Sequence, residues 1–64
     1  MIDLKNVISL IEIKFCKKVS CIIRKKGGDD KNWSVVFEGE TEFKFIRLDD
    51  KEVDIIKGFS KLNV

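Results

Sequence analysis

Three segments between Val19 and Leu48 alternate apolar and polar residues at a period of two. Val19, Cys21 and Ile23 interleave with Ser20, Ile22 and Arg24; Trp33, Val35 and Phe37 with Ser34, Val36 and Glu38; Phe43 and Phe45 with Glu42, Lys44 and Ile46. Successive strand side chains point to opposite faces, so this alternation predicts a sheet with one buried face. The segments are expected at Lys18–Lys26, Asn32–Glu38 and Glu42–Leu48. Gly27, Gly28, Asp29 and Asp30 supply the first turn and Gly39, Glu40 and Thr41 the second, because glycine takes positive φ freely and aspartate tolerates it.

A one-residue slip turns every side chain to the wrong face, so register can be argued from parity. Placing Phe37 opposite Phe43 sets Val35 against Phe45 and Trp33 against Arg47. Placing Val19 opposite Phe37 sets Cys21 against Val35 and Ile23 against Trp33. A two-residue turn at Gly39-Glu40 would pair Val35 with Lys44 and Phe37 with Glu42. That brings charge onto the buried face, and the sequence reading rejects it.

Before the strands, Leu4, Val7, Ile8, Ile11 and Phe15 recur at helical spacing, with Asp3 as N-cap. The preferred reading is a helix from Asp3 to about Phe15. The rival is a strand, since Ile11, Ile13 and Phe15 alternate with Glu12 and Lys14. After the strands, Asp49 followed by Glu52 forms a capping-box pattern. It opens a helix over Asp50–Leu62 with a stripe of Ile55, Ile56, Phe59 and Leu62 and with Val53 at its margin. Gly58 within it either allows close approach to the sheet or is simply tolerated. The expected architecture is a single α+β domain over residues 1–64, a three-stranded antiparallel meander in the order α-β-β-β-α.

With 64 residues, a single core gives little stability, and a disulfide, a metal or a partner is the usual supplement. The chain has two cysteines and no histidine, which makes a zinc site improbable and removes the commonest general base. No catalytic residue, metal or cofactor is expected, and the protein reads as a non-enzyme. Asp3, Lys5 and Asn6 interrupt the start as a signal peptide would not, and no segment approaches the ~20 apolar residues of a membrane span. A reducing cytoplasm with both thiols free is the expected setting. Self-association, as a homodimer or higher oligomer, or a binding partner is the expected source of extra stability.

Charge is unevenly placed. Residues 1–26 hold seven cationic and two acidic side chains, residues 27–64 six and nine. Lysine outnumbers arginine eleven to two, a usage common in AT-rich genomes such as those of many phages and mobile elements. The second sheet face, carrying Ser20, Ile22, Arg24, Ser34, Val36, Lys44, Ile46 and Leu48 in this register, is half apolar, which suits either an interface or a second core face.

Two functions from different classes follow. In the first, the chain is a small protein-binding inhibitor or regulator of the phage accessory type. It occupies a site on a larger protein through Ile22, Val36, Lys44 and Ile46, with the acids Glu38, Glu40 and Glu42 engaging a basic surface. In the second, Lys17, Lys18, Arg24, Lys25 and Lys26 contact the phosphates of a nucleic acid. The element order resembles that of a double-stranded RNA-binding domain, although Asp49-Asp50-Lys51-Glu52 is acidic where that family has lysines. With a strand in place of the first helix, the chain would loosely resemble a four-strand single-strand-binding fold. Neither likeness extends to a residue motif, and no family is assigned from it.

Overall fold

A computed structural model describes residues 2–24 and 30–62, with side chains described through residue 59. The order is α1 (Leu4–Phe15), β1 (Val19–Arg24), β2 (Asn32–Phe37), β3 (Lys44–Arg47) and α2 (Asp50–Leu62). The strands form one antiparallel sheet with β2 in the centre. The α+β architecture and the order α-β-β-β-α are those the sequence predicts, and residues 4–15 are helical. Of the first turn, residues 25–29 lie outside the described residues.

Both helices start on local signals. Asp3 caps α1 from an extended conformation, its carboxylate accepting the Lys5 N–H at 3.0 Å. This satisfies one of the four N–H groups that a helix start leaves without partners. At the other end Cys16 takes left-handed φ of 54° and stops the helix. The α2 start is a reciprocal capping box: Glu52 donates its N–H to Asp49 Oδ1 at 2.8 Å, and Glu52 Oε1 accepts the Asp49 N–H at 3.1 Å.

One core holds the layers together. Val7 and Ile11 of α1 and Val53 and Ile56 of α2 meet Trp33, Val35 and Phe37 of β2 and Ile46 and Leu48 at β3, with Ile2 closing one end. Val7 and Ile11 are one helical turn apart, as Val53 and Ile56 are, so each helix buries a narrow stripe. Both helices therefore lie on one side of the sheet. Along α2 the buried stripe is narrower than the sequence suggests: Ile55 and Phe59 remain half-exposed. A Cβ on Gly58 would meet nothing within 4 Å, so this glycine is tolerated and makes no close approach to the sheet.

The register differs from the expected one on both sides of β2. Val19 does face Phe37, but Ser20 is an extra residue, and beyond it Cys21 faces Val36, Ile22 faces Val35 and Arg24 faces Trp33. A bulge of this kind reverses the alternation downstream of it. It lets Val19 and Ile22, three residues apart, both pack on the core. On the other side Trp33 faces Ile46, Ser34 faces Phe45 and Val35 faces Lys44. This is the register rejected from the sequence.

The physical reason lies at the sheet ends. Lys44 sits where the ladder stops, and its ammonium turns out to Glu40 at 3.2 Å, so no charge is buried. The alternative places Arg47 against Trp33 in mid-core, which costs far more. Glu40 N–H donates to the Phe37 carbonyl at 3.0 Å, closing a four-residue turn with Gly39 at φ +85°, and β3 begins only at Lys44.

Candidate protein-binding face

The helices cover one sheet face and leave the other bare. Because paired residues share a face, the outer face carries Cys21 and Ile23 of β1, Ser34 and Val36 of β2, and Phe45 of β3. Phe43, immediately before β3, continues the same parity. Asn32 and Arg47 mark one end of this face; at the other, exposed Glu38 stands opposite exposed Lys18, to whose carbonyl it donates its N–H at 2.8 Å. Phe45 is 90% exposed, and Phe43 and Ile23 are about half-exposed at 46% and 49%. A shallow groove between β1 and β3 is lined by Ile23, Asn32, Ser34 and Phe45, with Trp33 at its base.

Three of the predicted interface residues, Ile22, Lys44 and Ile46, therefore change sides. Ile46 is buried in the core and Ile22 packs against it, so neither faces outward. Lys44 has core-face parity, but at the sheet end it is exposed and paired with Glu40. Val36 is on the outer face as expected. Phe43 and Phe45, assigned to the core from the sequence, are on the outer face instead. The signal that identifies them is Arg47: two residues beyond Phe45, it shares a face with Phe45 and has no place in a core.

The charged candidates are drawn into local pairs. Glu40 accepts from Lys17 at 3.0 Å through one oxygen and from Lys44 through the other. These two ammonium groups, Lys17 first, hold its carboxyl below the usual glutamate range. The Lys17 ammonium also lies 5.5 Å from the centre of the Phe37 ring. Arg24 pairs with Asp30 at 2.6 Å and stacks at 5.9 Å over Trp33, whose indole N–H donates to the Asp30 carbonyl. Lys31 pairs with Asp50 and lowers its carboxyl pKa. Lys18, Glu38 and Glu42 are exposed, whereas Lys25 and Lys26 lie outside the described residues.

Of the cations proposed to contact phosphate, Lys17 and Arg24 thus already have carboxylate partners. Both cysteines are free and exposed, Cys16 at the end of α1 and Cys21 on the outer face. Among the described residues no three histidine, cysteine, aspartate or glutamate side chains gather as metal ligands, and no helix is long and apolar enough to cross a membrane. The chain matches no family model, no curated protein and no solved structure.

Proposed function

We propose that this chain is a small, non-enzymatic protein-binding module that docks through its bare sheet face onto an apolar site of a larger protein, regulating it by occupancy. The observation that carries the reading is Phe45, 90% exposed on a face without a helix cover. A large aromatic side chain held by a sheet in full contact with water is unfavourable unless a partner removes it from water. An apolar centre with polar ends has the anatomy of an interaction surface. Glu38 at one end of the face, with exposed Glu42 in the adjoining connection, suits a partner with a basic rim.

The nucleic-acid reading has less support. Lys17 and Arg24 are engaged by Glu40 and Asp30, and Glu42 directly precedes the exposed Phe43 in the chain. The test is capture from source-cell lysate with the tagged chain and with Phe45→Ser, each with and without nuclease. Bands that survive nuclease and disappear with Phe45→Ser are the expected result. Bands lost to nuclease, or unchanged by Phe45→Ser, overturn the reading. Nucleic acid recovered in a strongly salt-dependent manner would replace it with phosphate contact.

A further inference from the structure

We propose that the open edge of β1 is a second docking site, separate from the bare face, that takes an extended acidic segment of a partner protein as a fourth strand. β1 borders the sheet, and among the described residues no strand lies on its far side. The Val19 N–H points away from β2, to Glu12, while the Lys18 carbonyl accepts the Glu38 N–H inside the ladder. Antiparallel ladders alternate in this way from one pair to the next. Past the bulge at Ser20, Cys21 faces Val36, Ile22 faces Val35, Ile23 faces Ser34 and Arg24 faces Trp33 without interruption, so Ile22 and Arg24 turn their N–H and carbonyl groups to the open side. Those are the groups that an added strand pairs with.

The helix beside the edge makes it a groove. Glu12 reaches past β1 to Val19, and Ile8 and Leu4, four and eight residues before it, stand on the same flank of α1. The chain reverses between Phe15 and Val19, so this row runs back from the Val19 end of β1 toward its Arg24 end. Leu4 is 47% exposed, and Ile22, on the core face of the edge, is only partly covered. A strand added here sets alternate side chains against Leu4, Ile8 and Ile22 and the others beside Ile23 on the outer face. The opposite edge is blunted, because Lys44 and Arg47 bracket the four residues of β3.

Charge selects the occupant. Lys18 stands on the outer face at one end of the edge, and Lys5, three residues before Ile8, on the α1 flank toward the other. Both are exposed, and among the described residues neither has a carboxylate within 4.0 Å. The other charges here are engaged: Lys17 by Glu40, Arg24 by Asp30, Glu12 by the Val19 N–H and Asp3 by the start of α1. The two lysines suit a segment with an acid near each end, on opposite faces. A second copy fits poorly. Paired β1 to β1 about a two-fold axis, Lys18 of each copy would meet the Arg24 end of the other, cation on cation.

The experiment is NMR of the whole isotope-labelled chain titrated with the blocked peptide Glu-Thr-Val-Thr-Val-Thr-Val-Glu, whose two acids fall on opposite faces. The N–H groups of Ile22 and Arg24 are expected to shift and to exchange more slowly with solvent, while the signals of Phe43 and Phe45 stay in place. Lysine in place of both peptide glutamates weakens binding about tenfold, as does Lys18→Glu in the chain, and that variant prefers the lysine peptide. The same peptide N-methylated on every amide, unable to donate to a ladder, does not bind. No change at Ile22 and Arg24 up to millimolar peptide overturns the proposal, as do equal binding of the lysine peptide and changes centred on Phe43 and Phe45. Slow exchange at the edge that grows with the concentration of the chain alone would assign the edge to a second copy and overturn the acidic partner.

Discussion

The carboxylate of Glu12, in the last turn of α1, accepts the backbone N–H of Val19 at 2.8 Å. Val19 opens β1, an edge strand whose outer backbone groups have no neighbouring strand. The helix thus supplies, through one side chain, the acceptor that a further strand would have supplied. It also fixes how far α1 leans over β1.

The first prediction concerns this bond. Hydrogen bonds to ionised groups contribute about 1.5–3 kcal/mol, and Glu12 is partly buried. Glu12→Ala is expected to destabilise the fold by about 2 kcal/mol in urea titration, and Glu12→Gln, which keeps an acceptor oxygen, by about half of that. Equal losses in the two variants would show that the charge matters here and that neither packing nor a neutral acceptor oxygen does.

A second prediction follows from Glu40 and Asp50. Lysines hold both carboxyls below their ordinary range, Lys17 and Lys44 in one case and Lys31 in the other. The folded chain therefore binds fewer protons than the unfolded chain in acid, so unfolding takes up protons. The stabilisation is complete above the ordinary carboxylate range and is lost as pH falls through the lowered folded values. The melting temperature should decline on acidification through that window. Glu40→Gln and Asp50→Asn should each flatten the decline, and both are exposed enough that salt should flatten it too. A profile unchanged by either substitution would contradict the pairing.

Third, the two described glycines should respond in opposite directions to alanine. Gly58 lies inside α2 with open space where its Cβ would stand, so Gly58→Ala should stabilise by about 1 kcal/mol through helix propensity. Gly39 has φ +85°, and Gly39→Ala should destabilise by about 1–2 kcal/mol although its Cβ also meets nothing. Thermal melts of the two variants separate backbone strain from steric contact.

The fourth prediction reads the register directly. Ile46 is 6% exposed and its neighbour Phe45 90%. In dilute solution, where association adds nothing, Ile46→Ala should cost about 2–5 kcal/mol and Phe45→Ala less than about 0.5 kcal/mol. The alternative register, with Phe45 against Val35, demands the reverse order.

That pair of neighbours also shows where the sequence speaks and where it is silent. Helix ends are written in short-range chemistry, and Asp3 and the Asp49/Glu52 box place both N-termini from residues within one turn. Strand parity is a competition between alternatives of similar composition. Phe43 and Phe45 or Ile46 and Leu48 each offer an apolar row, and the aromatic pair is the larger. The choice is made by where charges fall: Lys44 escapes to Glu40 at the sheet end, which requires knowing that Glu40 is there and that Lys17 shares it. The Ser20 bulge has no signal in the alternation of Val19, Cys21 and Ile23, which reads as a regular strand. The sequence therefore predicts a second, half-apolar face but places most of its residues on the other side.

The bulge at Ser20 has one more consequence. Two residues at that point oppose one on β2, so the strand beyond it runs half a pleat out of phase with the strand before it. A chain shortened by Ser20 alone would lose the extra residue and keep the pairing on both sides of it: Val19 would still face Phe37, Cys21 Val36 and Ile22 Val35. The deletion would thus straighten the strand without exchanging interior for exterior, and a Cys21 thiol as open to alkylating reagents as before would report it.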